Sequence, residues 1–266
     1  MLRMVGKTIL VTSGKGGVGC STVAARLAAA YTRRGGSALI ADLSAGNPAQ
    51  DLLCGVAERT VYDLRDVMRA RIDPRRASLP VMAVERLSVI PGTTVYDGTP
   101  GDAELIRLFE TLRGTFSADV LVLDVPKDSV GVLSEFADVT LAVSDLSAAS
   151  LRATAALKFS PRANVRLVLN RYPVEREAAE MRATVREALD YTGIRLGAIL
   201  FNEPKIESDD ALEPGRFRAR PLVDVPCKNL SVRLDGDHAP LLTGVIRGRK
   251  REKMLADMAQ RRLENA

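Results

Sequence analysis

Ser13-Gly14-Lys15-Gly16-Gly17-Val18-Gly19-Cys20-Ser21-Thr22 lies between a short apolar run, Thr8-Ile9-Leu10-Val11, and an alanine-rich stretch from Val23 to Ala30. The first run has the pattern of a buried strand and the second that of a helix. A glycine-rich turn joining strand to helix aims several backbone N–H groups, and the positive end of the helix, at an anion. A phosphate-binding loop requires Gly, four residues, Gly, Lys and then Ser or Thr. Gly14, Gly19 and Ser21 satisfy it, but Cys20 stands where the lysine belongs. The loop is built to hold phosphate and lacks its main cation.

Outward from the loop, apolar strand and helix patterns alternate. Strands are predicted near 7–12, 38–42, 87–91, 120–125, 139–143, 165–170 and 195–200. Helices are predicted near 20–34, 61–70, 102–114, 147–157, 176–191 and 250–263. Several strands are unbroken leucine-rich or β-branched runs, as in parallel sheets covered on both faces. The pattern predicts an α/β fold: a doubly wound, mostly parallel sheet in one domain spanning residues 1–266. Ligands of such folds sit outside the carboxyl ends of the strands. Gly14, Asp42, Asp124 and Asn170 all fall at or just after predicted strand ends. Asp145 or Ser147 is placed to cap the 147–157 helix, and Gly35-Gly36 to close the first one. Pro204, Pro214, Pro221, Pro226 and Pro240 make 202–245 read as loops and short strands.

The spelling of the loop resembles the deviant phosphate loop of the MinD/ParA family, dimeric ATPases that position division sites, chromosomes, flagella and pili. Five further segments resemble that family in the right order: Ala38-Leu39-Ile40-Ala41-Asp42, the Thr60–Val67 run, Leu87-Ser88-Val89-Ile90-Pro91-Gly92, Val120-Leu121-Val122-Leu123-Asp124-Val125-Pro126 and Leu167-Val168-Leu169-Asn170-Arg171-Tyr172. The resemblance implies a dimer and ATP or ADP with Mg2+ as cofactor. It assigns the nucleotide to Gly14, Lys15, Gly16, Gly17, Val18, Gly19, Cys20, Ser21 and Thr22, with Asp42, Asn170 and Arg171. Lys15 is in the place of the signature lysine that reaches a partner's nucleotide. Ser21 and Asp124 are in the places that hold the metal, and Asn170 is in that of an adenine contact. The family also expects Asp-x-Asp at the end of the second strand, where this chain has Asp42-Leu43-Ser44.

The two departures act on different steps. Losing one charge-assisted hydrogen bond, worth about 1.5–3 kcal/mol, weakens binding roughly ten- to a hundred-fold. Misplacing the attacking water costs hydrolysis about 10² to 10⁴ more. The expectation is weak nucleotide binding with absent or very slow turnover. Lys127, after Asp124-Val125-Pro126, is a candidate substitute cation, with an ordinary solvated loop lysine as the alternative. Cys20 has two readings: a thiol made reactive by the helix terminus, or a small neutral replacement.

Composition bounds the alternatives. The 266 residues carry a formal charge of +5 and only 4% aromatics, with no Trp. That argues against base-stacking nucleic-acid modules. A DNA backbone, an anionic membrane or an acidic partner remain open through steering, the alternating Arg216, Arg218 and Arg220 being the first candidate patch. Three cysteines with no metal or disulfide spacing, and no signal or spanning segment, predict a cytoplasmic protein. The C-terminal run from Arg247, with Met254, Leu255, Met258 and Leu263, reads as a final helix more than as a membrane anchor. Two rival functions stay open. One is a nucleotide-free interaction scaffold. The other is an NAD-binding oxidoreductase, since Gly14, Gly16 and Gly19 also spell Gly-x-Gly-x-x-Gly, with Asp42 about 23 residues on, near where a ribose-binding acid belongs.

Overall fold

The computed structural model describes residues 5–96, 98–173, 183–206 and 215–241. Its centre is an eight-stranded sheet: β1 (Lys7–Thr12), β2 (Ala38–Asp42), β3 (Leu79–Pro80), β4 (Leu87–Ile90), β5 (Val120–Asp124), β6 (Val139–Ser144), β7 (Val165–Tyr172) and β8 (Leu196–Phe201). The spatial order is β3-β4-β2-β5-β1-β6-β7-β8. Only the two-residue β3 runs antiparallel to its neighbour.

The strands are covered on both faces, which is why they read as continuous apolar runs. All five residues of β2 and of β5, and all six of β6, are buried. On β1 the side chains alternate between two cores: Ile9 and Val11 join the one packed on the first helix, and Leu10 joins the other.

The helices among the described residues are α1 (Cys20–Arg33), α2 (Gln50–Leu53), α3 (Leu64–Met68), α4 (Pro74–Ala77), α5 (Asp102–Thr115), α6 (Val130–Phe136), α7 (Ala148–Ala155), α8 (Val185–Thr192) and α9 (Pro221–Leu234). Helix α1 is nearly all buried because alanines let it lie close on the sheet. It closes as expected: Gly35 takes φ 92° and donates its N–H to Thr32, and Gly36 donates to Tyr31. Ser147 caps α7 by accepting from the Ser150 N–H, and Asp145 in turn accepts from the Ser147 N–H and hydroxyl.

One stretch corrects the sequence reading. Residues 221–234, taken as loops and short strands, form the 14-residue helix α9. Pro221 starts it, where a missing N–H is harmless, and Pro226 sits inside it. Val223, Pro226, Cys227, Leu230 and Ser231 are buried. Their spacing is that of one helical face, and burial of that stripe outweighs the single hydrogen bond lost at Pro226. The predicted 250–263 helix and the basic run from Arg247 lie outside the described residues, as does the beginning of the predicted 176–191 helix.

Helix α9 is fastened across α1. The Arg26 guanidinium, on the α1 face toward α9, donates to the Arg218 carbonyl at 2.8 Å and to Asp224 at 3.3 Å, and lies 5.4 Å from the Phe217 ring centre. At the far end Asp235 accepts from Lys7 at 2.7 Å and from Arg34 at 2.8 Å. Lys7 also donates to the Leu234 carbonyl. The helix that opens at the phosphate loop is thus held from behind.

Candidate functional site

The phosphate loop leaves the carboxyl end of β1, in the middle of the sheet, and runs into α1. Gly19 is the residue before the helix and takes φ 87°, a left-handed conformation open mainly to glycine. A Cβ there would also strike the Asn170 amide. Gly14 is needed for a different reason: a Cβ would collide with the Ala153 carbonyl near the end of α7. Gly14→Ala is expected to cost about 1–3 kcal/mol, as overpacking does. Thermal unfolding of the variant beside wild type measures it.

Helix α1 has no side-chain cap and no acidic residue in its first turn. Its first N–H groups have no intrahelical acceptor. They border an open cleft of about 430 Å³ lined by Gly16, Gly17, Gly19, Cys20, Ser21 and Thr22. Ser44, Ala49, Leu52 and Leu53 form the opposite lip, and Asp124, Val125 and Pro126 the floor. The arrangement offers an anion main-chain donors and a helix terminus.

The floor is acidic. Asp42 and Asp124 end the adjacent strands β2 and β5 in register with each other, and both are buried. Asp124 Oδ1 faces Cys20 Sγ at 3.5 Å, and Asp124 Oδ2 accepts from Gln50 Nε2 at 2.8 Å. Burial raises the Asp124 pKa, while hydrogen bonding from Ser21, Gln50 and Cys20 opposes the rise. Burial, and next the Asp124 charge, push Asp42 up to about 6. The same two causes push the Cys20 thiol well above its ordinary range. Burial first, and the neighbouring carboxylate second, act against a thiol activated by the helix terminus and favour the other reading, a small neutral replacement.

The raised acids bind protons more readily in the folded chain than in the unfolded one. The contribution of Asp42 is fully present below about pH 4, falls as pH rises toward 6, and is gone above it. Asp124→Asn removes one buried charge and unburdens Asp42. Its stability relative to wild type should be higher at pH 7.5 and lose on the order of 1–2 kcal/mol of that advantage at pH 5. Urea unfolding at both pH values checks the sign.

The other sequence-derived residues take distinct positions. Asp42 does not line the cleft. Its carboxylate accepts the N–H groups of Ser44 at 2.9 Å, Ala49 at 3.0 Å and Gln50 at 3.1 Å, and so organises the lip. Asn170 is buried under the loop and donates to the Val18 carbonyl at 2.8 Å. Arg171 follows it with φ 54°, at the end of β7. Val18 is buried beneath the loop. Lys15 and Lys127 are exposed and make no hydrogen bond or ion pair among the described residues. Gln50 was missed by sequence reasoning. Its only signal was an amide within a few residues of the strand-two acid.

A divalent ion fits this donor set in one way. No group of three His, Cys, Asp or Glu among the described residues could cage a metal. Ser21 beside Asp124 could hold Mg2+ only together with phosphate oxygens and water, the manner usual for this ion.

The NAD alternative fails on topology. In a dinucleotide-binding sheet the first and second strands are neighbours. Here β5 lies between them, and the Asp42 carboxylate is already bound to its own loop.

A profile of the ParA family, described as NUBPL iron-transfer P-loop NTPase, matches residues 4–144. The septum site-determining protein MinD of Synechocystis is 28% identical over 248 residues, covering 89% of this chain and 92% of that protein. MinD of Neisseria meningitidis serogroup B is 26% identical over 249 residues, covering 87% and 92%. Among solved structures, a chain of the MinC:MinD cell division protein complex of Aquifex aeolicus matches with a TM-score of 0.74 at 22% identity, over 90% of this chain and 99% of that one. MinD complexed with Mg-ADP from Pyrococcus horikoshii matches at 0.69 and 21%, over 87% and 96%. At these identities the structural likeness concerns the fold.

Proposed function

Since this chain belongs to the ParA family of P-loop NTPases, we propose that it is a degenerate member. It binds ATP or ADP weakly through the loop, hydrolyses ATP very slowly or not at all, and acts as a spatial or assembly regulator. The observation that carries the reading is the pairing of an open helix terminus with a floor that has Ser21 and Asp124 but Cys20 in place of a cation. The main-chain donors of Gly16, Gly17, Gly19, Cys20, Ser21 and Thr22 orient the phosphates. The Ser21 hydroxyl and Asp124 hold Mg2+ and its water; the ion, when bound, supplies the positive charge that Cys20 does not. Ser44 has no charge with which to orient an attacking water or take its proton. Hydrolysis therefore fails at two points while binding keeps its backbone part.

The septum site-determining relatives support a positioning role; on this reading the chain is a cytoplasmic homodimer with a single nucleotide-binding domain. In the dimer, exposed Lys15 supplies charge to the partner's nucleotide, with Lys127 as a second candidate. A complex that does not hydrolyse does not cycle, so it marks a place or docks a partner. Calorimetry with Mg-ADP tests the binding part: Cys20→Lys should bind roughly ten- to a hundred-fold more tightly than wild type. Absence of binding in both proteins would replace this reading with that of a nucleotide-free scaffold.

A further inference from the structure

Gln50 is a buried polar side chain of this site that no phosphate-loop pattern requires. It opens α2, is fully buried, and bonds in three directions. Its Nε2 donates to Asp124 Oδ2 at 2.8 Å and to the Ser21 carbonyl at 3.0 Å. Its own N–H donates to Asp42 Oδ2 at 3.1 Å. One residue thereby joins the ends of β2 and β5 to the first turn of α1. The lip residues Ala49, Leu52 and Leu53 adjoin it in the chain, and Leu52 is 56% exposed.

We propose that Gln50 is the positioning residue that ties the 44–53 lip to the phosphate site, so that occupation of the site moves the lip. This rests on the nucleotide-binding reading. Of the Asp124 oxygens, one faces Cys20 and the other accepts Gln50. A cation or water recruited by a bound phosphate competes with Gln50 for that carboxylate. An amide released there would be buried and unpaired, which is unfavourable. The side chain must follow its acceptor or leave the pocket, and either movement acts on a backbone fixed to Asp42. A neutral amide thus stands against Asp124 where the phosphate-loop pattern would bring an ammonium close by.

Hydrogen exchange on the full chain, with and without Mg-ADP, tests this in wild type, Gln50→Met and Gln50→Glu. Methionine keeps the length and packing but removes the donor; glutamate keeps the shape and sets an acceptor against Asp124. Without nucleotide, residues 49–53 should exchange about tenfold faster in both variants, with α5 unchanged. Mg-ADP should alter exchange across 44–53 in wild type, and leave it unaltered in the Met variant even where calorimetry shows binding. Wild-type exchange rates in the Met variant would overturn the proposal, because packing alone would then hold the lip. If that variant does not fold, wild type still decides: a lip indifferent to bound Mg-ADP ends the coupling and leaves the nucleotide reading standing. A wild type that binds no Mg-ADP ends both.

Discussion

The Cys20→Lys/Ser44→Asp double variant is expected to raise ATP turnover above wild type by about 10² to 10⁴. Each single variant should fall far short of that gain. The reason is the charge of the floor. Asp42 and Asp124 lie side by side, buried, with protonation favoured by burial. Ser44 faces the same cleft, and its N–H is already bonded to Asp42 Oδ1. Ser44→Asp alone adds a third carboxylate to an already acidic site, so it should weaken nucleotide binding and add no turnover. Cys20→Lys alone puts an ammonium where Sγ lies 3.5 Å from Asp124 Oδ1. It should tighten binding but leave the attacking water unoriented. The two changes are neighbours and should be strongly non-additive. Steady-state phosphate release for all four proteins measures this, and equal rates in the double variant and wild type would show that other groups are also missing.

Arg26→Ala is expected to cost about 3–5 kcal/mol of folding stability. Arg26 is 3% exposed, and its guanidinium is shared between the Arg218 carbonyl and Asp224. Asp224 keeps two other partners, the Arg220 N–H at 2.7 Å and Arg33 at 3.5 Å. Truncation therefore removes a buried cation from Asp224 and a donor from the Arg218 carbonyl, and opens a void under Phe217. Arg26→Met fills the space without the charge and should lose less, about 1–3 kcal/mol. Urea unfolding with unchanged m-values gives both numbers. A cost below about 1 kcal/mol for the Ala variant would mean that α9 is held by its apolar stripe alone.

The contrast between these two sites explains what was legible in the sequence. Seven strands were readable because each carries a run of apolar residues, most of them buried on both faces. The loop was readable because glycine spacing encodes backbone geometry directly, as Gly14 and Gly19 show. The two-residue β3 has too few residues to carry a pattern. Helix α9 was misread because prolines were weighed as punctuation, although 223, 226, 227, 230 and 231 carry a helical stripe. The work of individual polar groups was least visible. Asp42 stands at the expected strand end, yet its oxygens serve its own loop. Asn170 bonds to Val18, 152 residues away, and Gln50 reaches Asp124 across 74. Such contacts depend on which strand ends the sheet brings together, and strand order has no local signature.

The claim on which this account rests is that main-chain amides at the start of α1 still grip a polyphosphate without the side chains needed to cleave it. Titrating the purified wild-type chain with Mg-ATP in a calorimeter, while assaying the same samples for released phosphate, tests it most directly. The account predicts saturable heat with phosphate at background. Heat with phosphate release as fast as that of the Cys20→Lys/Ser44→Asp variant, or no heat at any usable nucleotide concentration, would contradict it.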